Sequence, residues 1–129
     1  MPLPNSIQRE YPFSQNLYKL NNGFRINYVD HGKKDNFPTI FLHGNPTWSF
    51  FYRKLILSLE HKYRCIAPDH LGCGLSEKPS SAEFKYNLEE HSNTSLHNEF
   101  RDVQGRLMWS EADSSWCVDS SECTPTGNL

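Results

Sequence analysis

Thr39-Ile40-Phe41-Leu42-His43-Gly44-Asn45-Pro46 is the stretch on which the fold turns. Its first half is a continuous apolar run, which fits a strand covered on both faces, as in a parallel sheet. The run stops at a polar, turn-forming tetrapeptide. From Ser49 to Glu60 the apolar groups fall at 52, 55, 56 and 59. That spacing predicts a helix, with Thr47 as its N-cap. Tyr63 to Ala67 reads as the next strand, closed by Pro68-Asp69. Strand, helix, strand is a βαβ crossover, a connection that is nearly always right-handed.

Upstream, Leu17 to Leu20 reads as a short strand, and Asn21-Asn22-Gly23 is a strong turn signal. Phe24, Ile26 and Tyr28 alternate with Arg25, Asn27 and Val29, which suits a strand. Together these predict an antiparallel hairpin leading into the parallel unit. Asp30 to Pro38 is a polar loop. The first ten residues are polar, hold Pro2 and Pro4, and read as a loose arm. Downstream, His70 to Pro79 is a Gly-rich loop, and Asn87 to His91 starts another helix.

The chain has 129 residues, enough for one domain. With Gly counted among the apolar types, about 37% of it is core material, against roughly 45–50% in an ordinary domain. The deficit is local. Residues 37–75 hold 19 apolar or aromatic residues in 39, whereas residues 92–129 hold 12 in 38, with seven serines. Residues 1–91 carry 11 basic and 9 acidic groups; residues 92–129 carry 2 and 6. The reading is a folded part, 1–91, and a tail, 92–129.

The net charge of −2 leaves no basic surplus for nucleic acid or an anionic membrane. No apolar run reaches the roughly 18 residues of a membrane helix, and the first 30 residues lack a signal-peptide pattern. Cys65, Cys73, Cys117 and Cys123 form no Cys-x-x-Cys pair and read as reduced thiols, hence a cytoplasmic chain. His91 and His97, like Cys117 and Cys123, are six apart. Neither spacing makes a zinc site, which needs about four convergent ligands. Phe50-Phe51-Tyr52 reads as core and groove lining, because no basic stripe accompanies it.

In an open α/β sheet, ligands bind beyond the carboxyl ends of the strands. His43-Gly44-Asn45-Pro46 lies at such an end. Gly44 lets the chain turn sharply and lets a ligand approach its amides. Those amides could stabilise an oxyanion, and Asn45 could donate a hydrogen bond into the site. The plainer alternative is a strand-to-helix turn built from ordinary turn residues.

The wider wording points further. His43-Gly44-Asn45-Pro46-Thr47-Trp48-Ser49-Phe50-Phe51-Tyr52-Arg53 resembles the oxyanion-loop region of α/β-hydrolases, in particular the haloalkane dehalogenase-like branch. Pro68-Asp69-His70-Leu71-Gly72-Cys73-Gly74-Leu75-Ser76-Glu77-Lys78-Pro79 resembles the same branch's loop after the next strand. The Gly72-Cys73-Gly74-Leu75-Ser76 wording is also similar to a neighbouring subgroup, the β-lactone decarboxylases of olefin biosynthesis. The resemblance covers about residues 12–91. It implies the N-terminal part of an α/β-hydrolase fold with an incomplete sheet. It implies a cofactor-free, metal-free parent enzyme that hydrolyses a small molecule at a carbon bearing a halide or oxygen leaving group. Asn45 matches the residue that holds the leaving anion. His43 and Gly44 match the loop shaping the oxyanion region, and Trp48 lies beside it. Asp69 matches a residue that ties down the Gly loop.

In that branch the nucleophile is an aspartate in a His-Asp-Trp-Gly-Gly elbow; the wider superfamily uses Gly-x-Ser-x-Gly. This chain holds neither. None of Asp30, Asp35, Asp69, Asp102, Asp113 or Asp119 is followed by Trp-Gly. Gly74-Leu75-Ser76-Glu77-Lys78 lacks the second Gly, so Ser76 reads as a loop-closing hydroxyl. The late catalytic histidine and its acid partner are likewise missing. Ser92-Asn93-Thr94-Ser95 are poor helix formers, and the best following strand candidate, Leu107-Met108-Trp109, is only three residues long. These features predict a truncated, inactive hydrolase, or a binding-only remnant, with an exposed sheet edge. The tail is then an out-of-frame or mis-spliced translation, or a genuine isoform's disordered acidic extension.

Overall fold

The structure, a computed structural model, describes residues 3–44, 47–87 and 89–91, and the backbone of 106–108. Five strands form one mixed sheet: β1 (Asn16–Lys19), β2 (Arg25–His31), β3 (Phe37–Phe41), β4 (Tyr63–Pro68) and β5 (Arg106–Met108). Their spatial order is β1-β2-β4-β3-β5. The expected hairpin is present: β1 pairs antiparallel with β2, Leu17 opposite Asn27. β2 then pairs antiparallel with β4, Val29 opposite Ala67. β3 and β4 run parallel, Thr39 beside Cys65 and Ile40 beside Ile66. The crossover between them carries a 3-10 turn, Ser49–Tyr52, and helix α2, Arg53–Leu59.

Strand alternation sorts the core. Val29, Phe41, Cys65 and Ala67 pack with Tyr52 and Ile56 on one side of the sheet, and Tyr11 and Phe13 complete that cluster. Leu20, Ile26, Leu71 and Phe84 form a second cluster. Ile40 and Ile66 are buried on the opposite face from Phe41 and Cys65.

Three expectations need correction. The arm is not loose: Asn5–Glu10 form helix α1. The carbonyl of Pro4 accepts the N–H groups of Ile7 and Gln8, and Tyr11 N–H closes on Ile7. Leu3 and Ile7 then pack on the Tyr11 cluster, which the polar composition of the arm conceals. Secondly, Thr47 does not cap the crossover helix. Its hydroxyl donates to the Gly44 carbonyl at 2.9 Å, and the segment starts as 3-10 because Tyr52 is held back by a 2.7 Å bond from its hydroxyl to Leu42 O. Thirdly, the edge of β3 is paired: β5 lies parallel to it, Ile40 beside Leu107. Three residues carry too little periodicity to announce a strand. The expected character of the tail falls otherwise on residues outside those described. No helix among the described residues is long and apolar enough to cross a membrane.

Candidate functional site

The two strand-end loops, one after β3 and one after β4, are joined by two histidines. His43 is buried. Its Nε2 accepts the backbone N–H of His70 at 2.9 Å. A backbone amide can only donate, so Nε2 is unprotonated and the ring proton sits on Nδ1. Nδ1–H donates to the Gly44 carbonyl at 2.8 Å. His70 returns the contact: its Nε2–H donates to the His43 carbonyl at 3.0 Å. The ring centroids are 4.3 Å apart. Burial, first of all, pushes the His43 imidazole below its ordinary range. Burial and then the neighbouring His43 push His70 down to about 3. Both rings are neutral, and neither is poised as a general base near neutral pH.

Asp69, which ends β4, is the second joint. It has no exposed surface. Oδ1 accepts Ser49 N–H at 2.7 Å; Oδ2 accepts Leu75 N–H at 3.0 Å and Asn27 Nδ2–H at 3.3 Å. A buried carboxylate is tolerable when its lone pairs are met this way. Gly74 lies against it at φ +50°, where a Cβ would sit 2.4 Å from Oδ2. Ser76 Oγ donates to Asp69 O at 2.6 Å and accepts Asn27 N–H at 2.8 Å. It is buried and occupied, as expected of a loop-closing hydroxyl. Burial, and then Asp69, push the pKa of the Cys73 thiol up, so it stays protonated and is no ready nucleophile.

Trp48 packs against the arm. Its indole stacks on Phe50 with centroids 5.3 Å apart and meets Tyr11 at 5.2 Å. The Tyr11 hydroxyl bonds Ser49 Oγ at 2.6 Å. Arm, crossover and Gly loop therefore share one polar thread: Tyr11, Ser49, Asp69, Leu75.

Of the residues anticipated for the site, His43 and Gly44 stand together at the end of β3, and Trp48 stands at the loop's exit. Asn45 lies outside the described residues, but its flanks are tied: the Gly44 carbonyl also accepts Thr47 N–H at 3.1 Å. His70 and Tyr11 join these residues without any local sequence signal. His70 stood in the quoted loop wording, yet a lone histidine there carries no spacing signal. Tyr11 lies 38 residues from its partner Ser49, beyond any local pattern. Among the described residues no group of three or more His, Cys, Asp or Glu could hold a metal ion.

Residues 38–106 match the family model of the alpha/beta hydrolase fold. Haloalkane dehalogenase 2 of Mycobacterium tuberculosis is 42% identical over 106 residues, covering 82% of this chain and 35% of that protein. A cis-3-alkyl-4-alkyloxetan-2-one decarboxylase of Shewanella oneidensis is 41% identical over 78 residues, covering 60% of this chain and 24% of that one. The tetrameric haloalkane dehalogenase DpaA of Paraglaciecola agarilytica superposes with a TM-score of 0.66 at 32% identity, over 83% of this chain and 39% of its own. The chain thus spans about a third of the length of the first curated relatives.

Proposed function

The chain belongs to the alpha/beta hydrolase fold family, and from that premise we propose that its strand-end loops are the oxyanion side of a haloalkane dehalogenase-like hydrolytic site. Asn45 holds the departing halide or negative oxygen, Gly44 and His43 shape the loop around it, and Trp48 anchors the loop's exit. The substrate is a small molecule with a halide or oxygen leaving group on carbon. In such a reaction an aspartate carboxylate displaces the leaving group to form an ester, and a histidine-activated water hydrolyses it. Neither a His-Asp-Trp-Gly-Gly nor a Gly-x-Ser-x-Gly elbow stands among the 129 residues. The chain alone therefore supplies anion binding without turnover. Free thiols at Cys65 and Cys73 suit a cytoplasmic setting.

One observation carries the reading. The loops after parallel neighbours β3 and β4 are held to each other by the reciprocal His43–His70 bonds, at the sheet end where such folds bind ligands. The test is a chimera in which residues 38–79 replace the matching segment of the Mycobacterium tuberculosis relative. Halide release from short haloalkanes is expected, with loss of about a hundredfold on Asn45→Ala, as for removal of one oxyanion donor. A chimera indifferent to Asn45→Ala overturns the assignment. The isolated chain is expected to leave haloalkanes, esters and a β-lactone untouched; turnover that Asn45→Ala abolishes overturns the non-catalytic reading.

A further inference from the structure

We propose that His70 is a positioning residue for the anion-holding loop, acting through His43 on the Gly44 carbonyl. This rests on the reading of the loops given above and adds a residue to it.

The Gly44 carbonyl is the point of convergence. It accepts three donors: His43 Nδ1–H, Thr47 Oγ1–H and Thr47 N–H. A carbonyl turned toward a halide or oxyanion would repel it, and one engaged by three donors cannot turn. The donor among these that depends on protonation is His43, which serves only as the Nδ1–H tautomer. That tautomer is selected at the other end of the ring, where His70 N–H requires a bare Nε2. The His70 ring adds a second constraint by gripping the His43 carbonyl. His70 thus fixes His43 from both its main chain and its ring, and His43 fixes Gly44.

A pH consequence follows. Nδ1 of His43 already carries a proton, so a further proton must go to Nε2. There it meets His70 N–H head-on, and the bond between the loops breaks. The groups facing this pair are Asp69 at the end of β4, which favours the charged ring of His43, and His70 and His91, which sits 5.9 Å from His70 ring to ring.

The test uses the full chain labelled with 15N-histidine. Long-range 1H–15N spectra are expected to show His43 as a single Nδ1–H tautomer with a slowly exchanging ring proton. His70→Leu is expected to speed that exchange at least tenfold. His70→Gln, whose amide can donate to the His43 carbonyl, is expected to restore protection. In the chimera, His70→Leu is expected to lower kcat/KM for halide release about tenfold, the scale of one hydrogen bond, with His70→Gln near the parent value. A His43 ring proton indifferent to His70→Leu, or an Nε2–H tautomer, overturns the proposal. A chimera inactive whatever stands at 70 overturns the functional reading, while the tautomer measurement still decides the role of His70.

Discussion

The carboxylate of Asp69 reaches back 20 residues to take the backbone N–H of Ser49 at 2.7 Å. Without that bond the first amide of the 3-10 turn would face the buried end of β4 with no acceptor. The same carboxylate holds Leu75 N–H from the other direction. One side chain therefore sets the spacing between the loop that leaves β3 and the loop that leaves β4. The anion-holding role proposed for these loops requires such rigidity, because preorganised donors act only where they already stand.

Replacing Asp69 by Ala orphans two backbone amides and the Asn27 amide group in a dry setting. At about 1–3 kcal/mol per unsatisfied donor, the loss is expected to be at least about 3 kcal/mol. Asp69→Asn keeps the shape but turns an NH₂ group toward one of the N–H donors, so it is expected to fall between Ala and the parent. Urea denaturation of the three proteins checks the order; equal midpoints would show that Asp69 is not a joint.

Gly74 and Gly23 make a controlled pair. Both have positive φ, +50° and +90°. A Cβ at Gly74 would also meet Asp69 Oδ2 at 2.4 Å and Trp48 Cε3 at 2.8 Å, whereas one at Gly23 meets nothing within 4 Å. Gly23→Ala is expected to cost about 1–2 kcal/mol, the conformational term alone. Gly74→Ala adds overpacking of about 1–3 kcal/mol and pushes on the carboxylate that spaces the loops. Thermal unfolding followed by circular dichroism should rank Gly74→Ala clearly below Gly23→Ala.

The sheet was legible because its strands announce themselves by pattern: the Phe24 alternation gave β2, and the run at 39–42 gave β3 to within two residues. The hidden features are all tertiary. The 3-10 start depends on Tyr52 gripping Leu42 and on Thr47 turning its hydroxyl to Gly44, and neither contact has a sequence period. Helix α1 is polar by composition and has no buried residue, and it is held through Ile7 packing on the cluster that Tyr11 and Phe13 form with Val29, Cys65 and Ala67. β5 is too short to be periodic and becomes a strand only against the edge of β3. The motif wording singles out His43 and Gly44 as candidates, yet the reciprocal bond to His70 spans 27 residues, and nothing local records it.

Stability is expected to fall on mild acidification. His43, His70 and His91 all titrate below the ordinary 6.5 in the folded chain, each chiefly through burial. Below pH 6.5 the unfolded chain binds protons that the folded chain refuses. The stability present above that pH is then lost by up to about 1.4 kcal/mol per pH unit for each neutral histidine. Asp30, held below its ordinary 3.8 mainly by its bond from Arg64, adds its own loss only at lower pH. Between pH 6.5 and about 5.5 the slope therefore belongs to the histidines; lower down, Glu77 and Glu83, held below their ordinary 4.5 by bonds from Arg25 and Ser80, join it. Urea midpoints across the histidine window should drop for the parent and drop less for His70→Gln; identical slopes would exclude His70 from the effect.

Tyr11 offers a way to separate its hydroxyl from its ring. The hydroxyl bonds Ser49 Oγ in a buried setting, and burial pushes its pKa up, so it stays protonated. Tyr11→Phe removes that bond while keeping the ring against Trp48 and Phe50, and is expected to cost about 1–2 kcal/mol. Tyr11→Leu also removes the aromatic contacts and leaves space beside the indole, for a total of about 3 kcal/mol. With Trp109 and Trp116 replaced by Phe, the remaining tryptophan reports on this corner alone. Its emission should be unchanged in Tyr11→Phe and red-shifted in Tyr11→Leu, because only the second change lets water reach Trp48. A red shift already in Tyr11→Phe would instead make the hydroxyl the element that keeps the arm closed over the crossover.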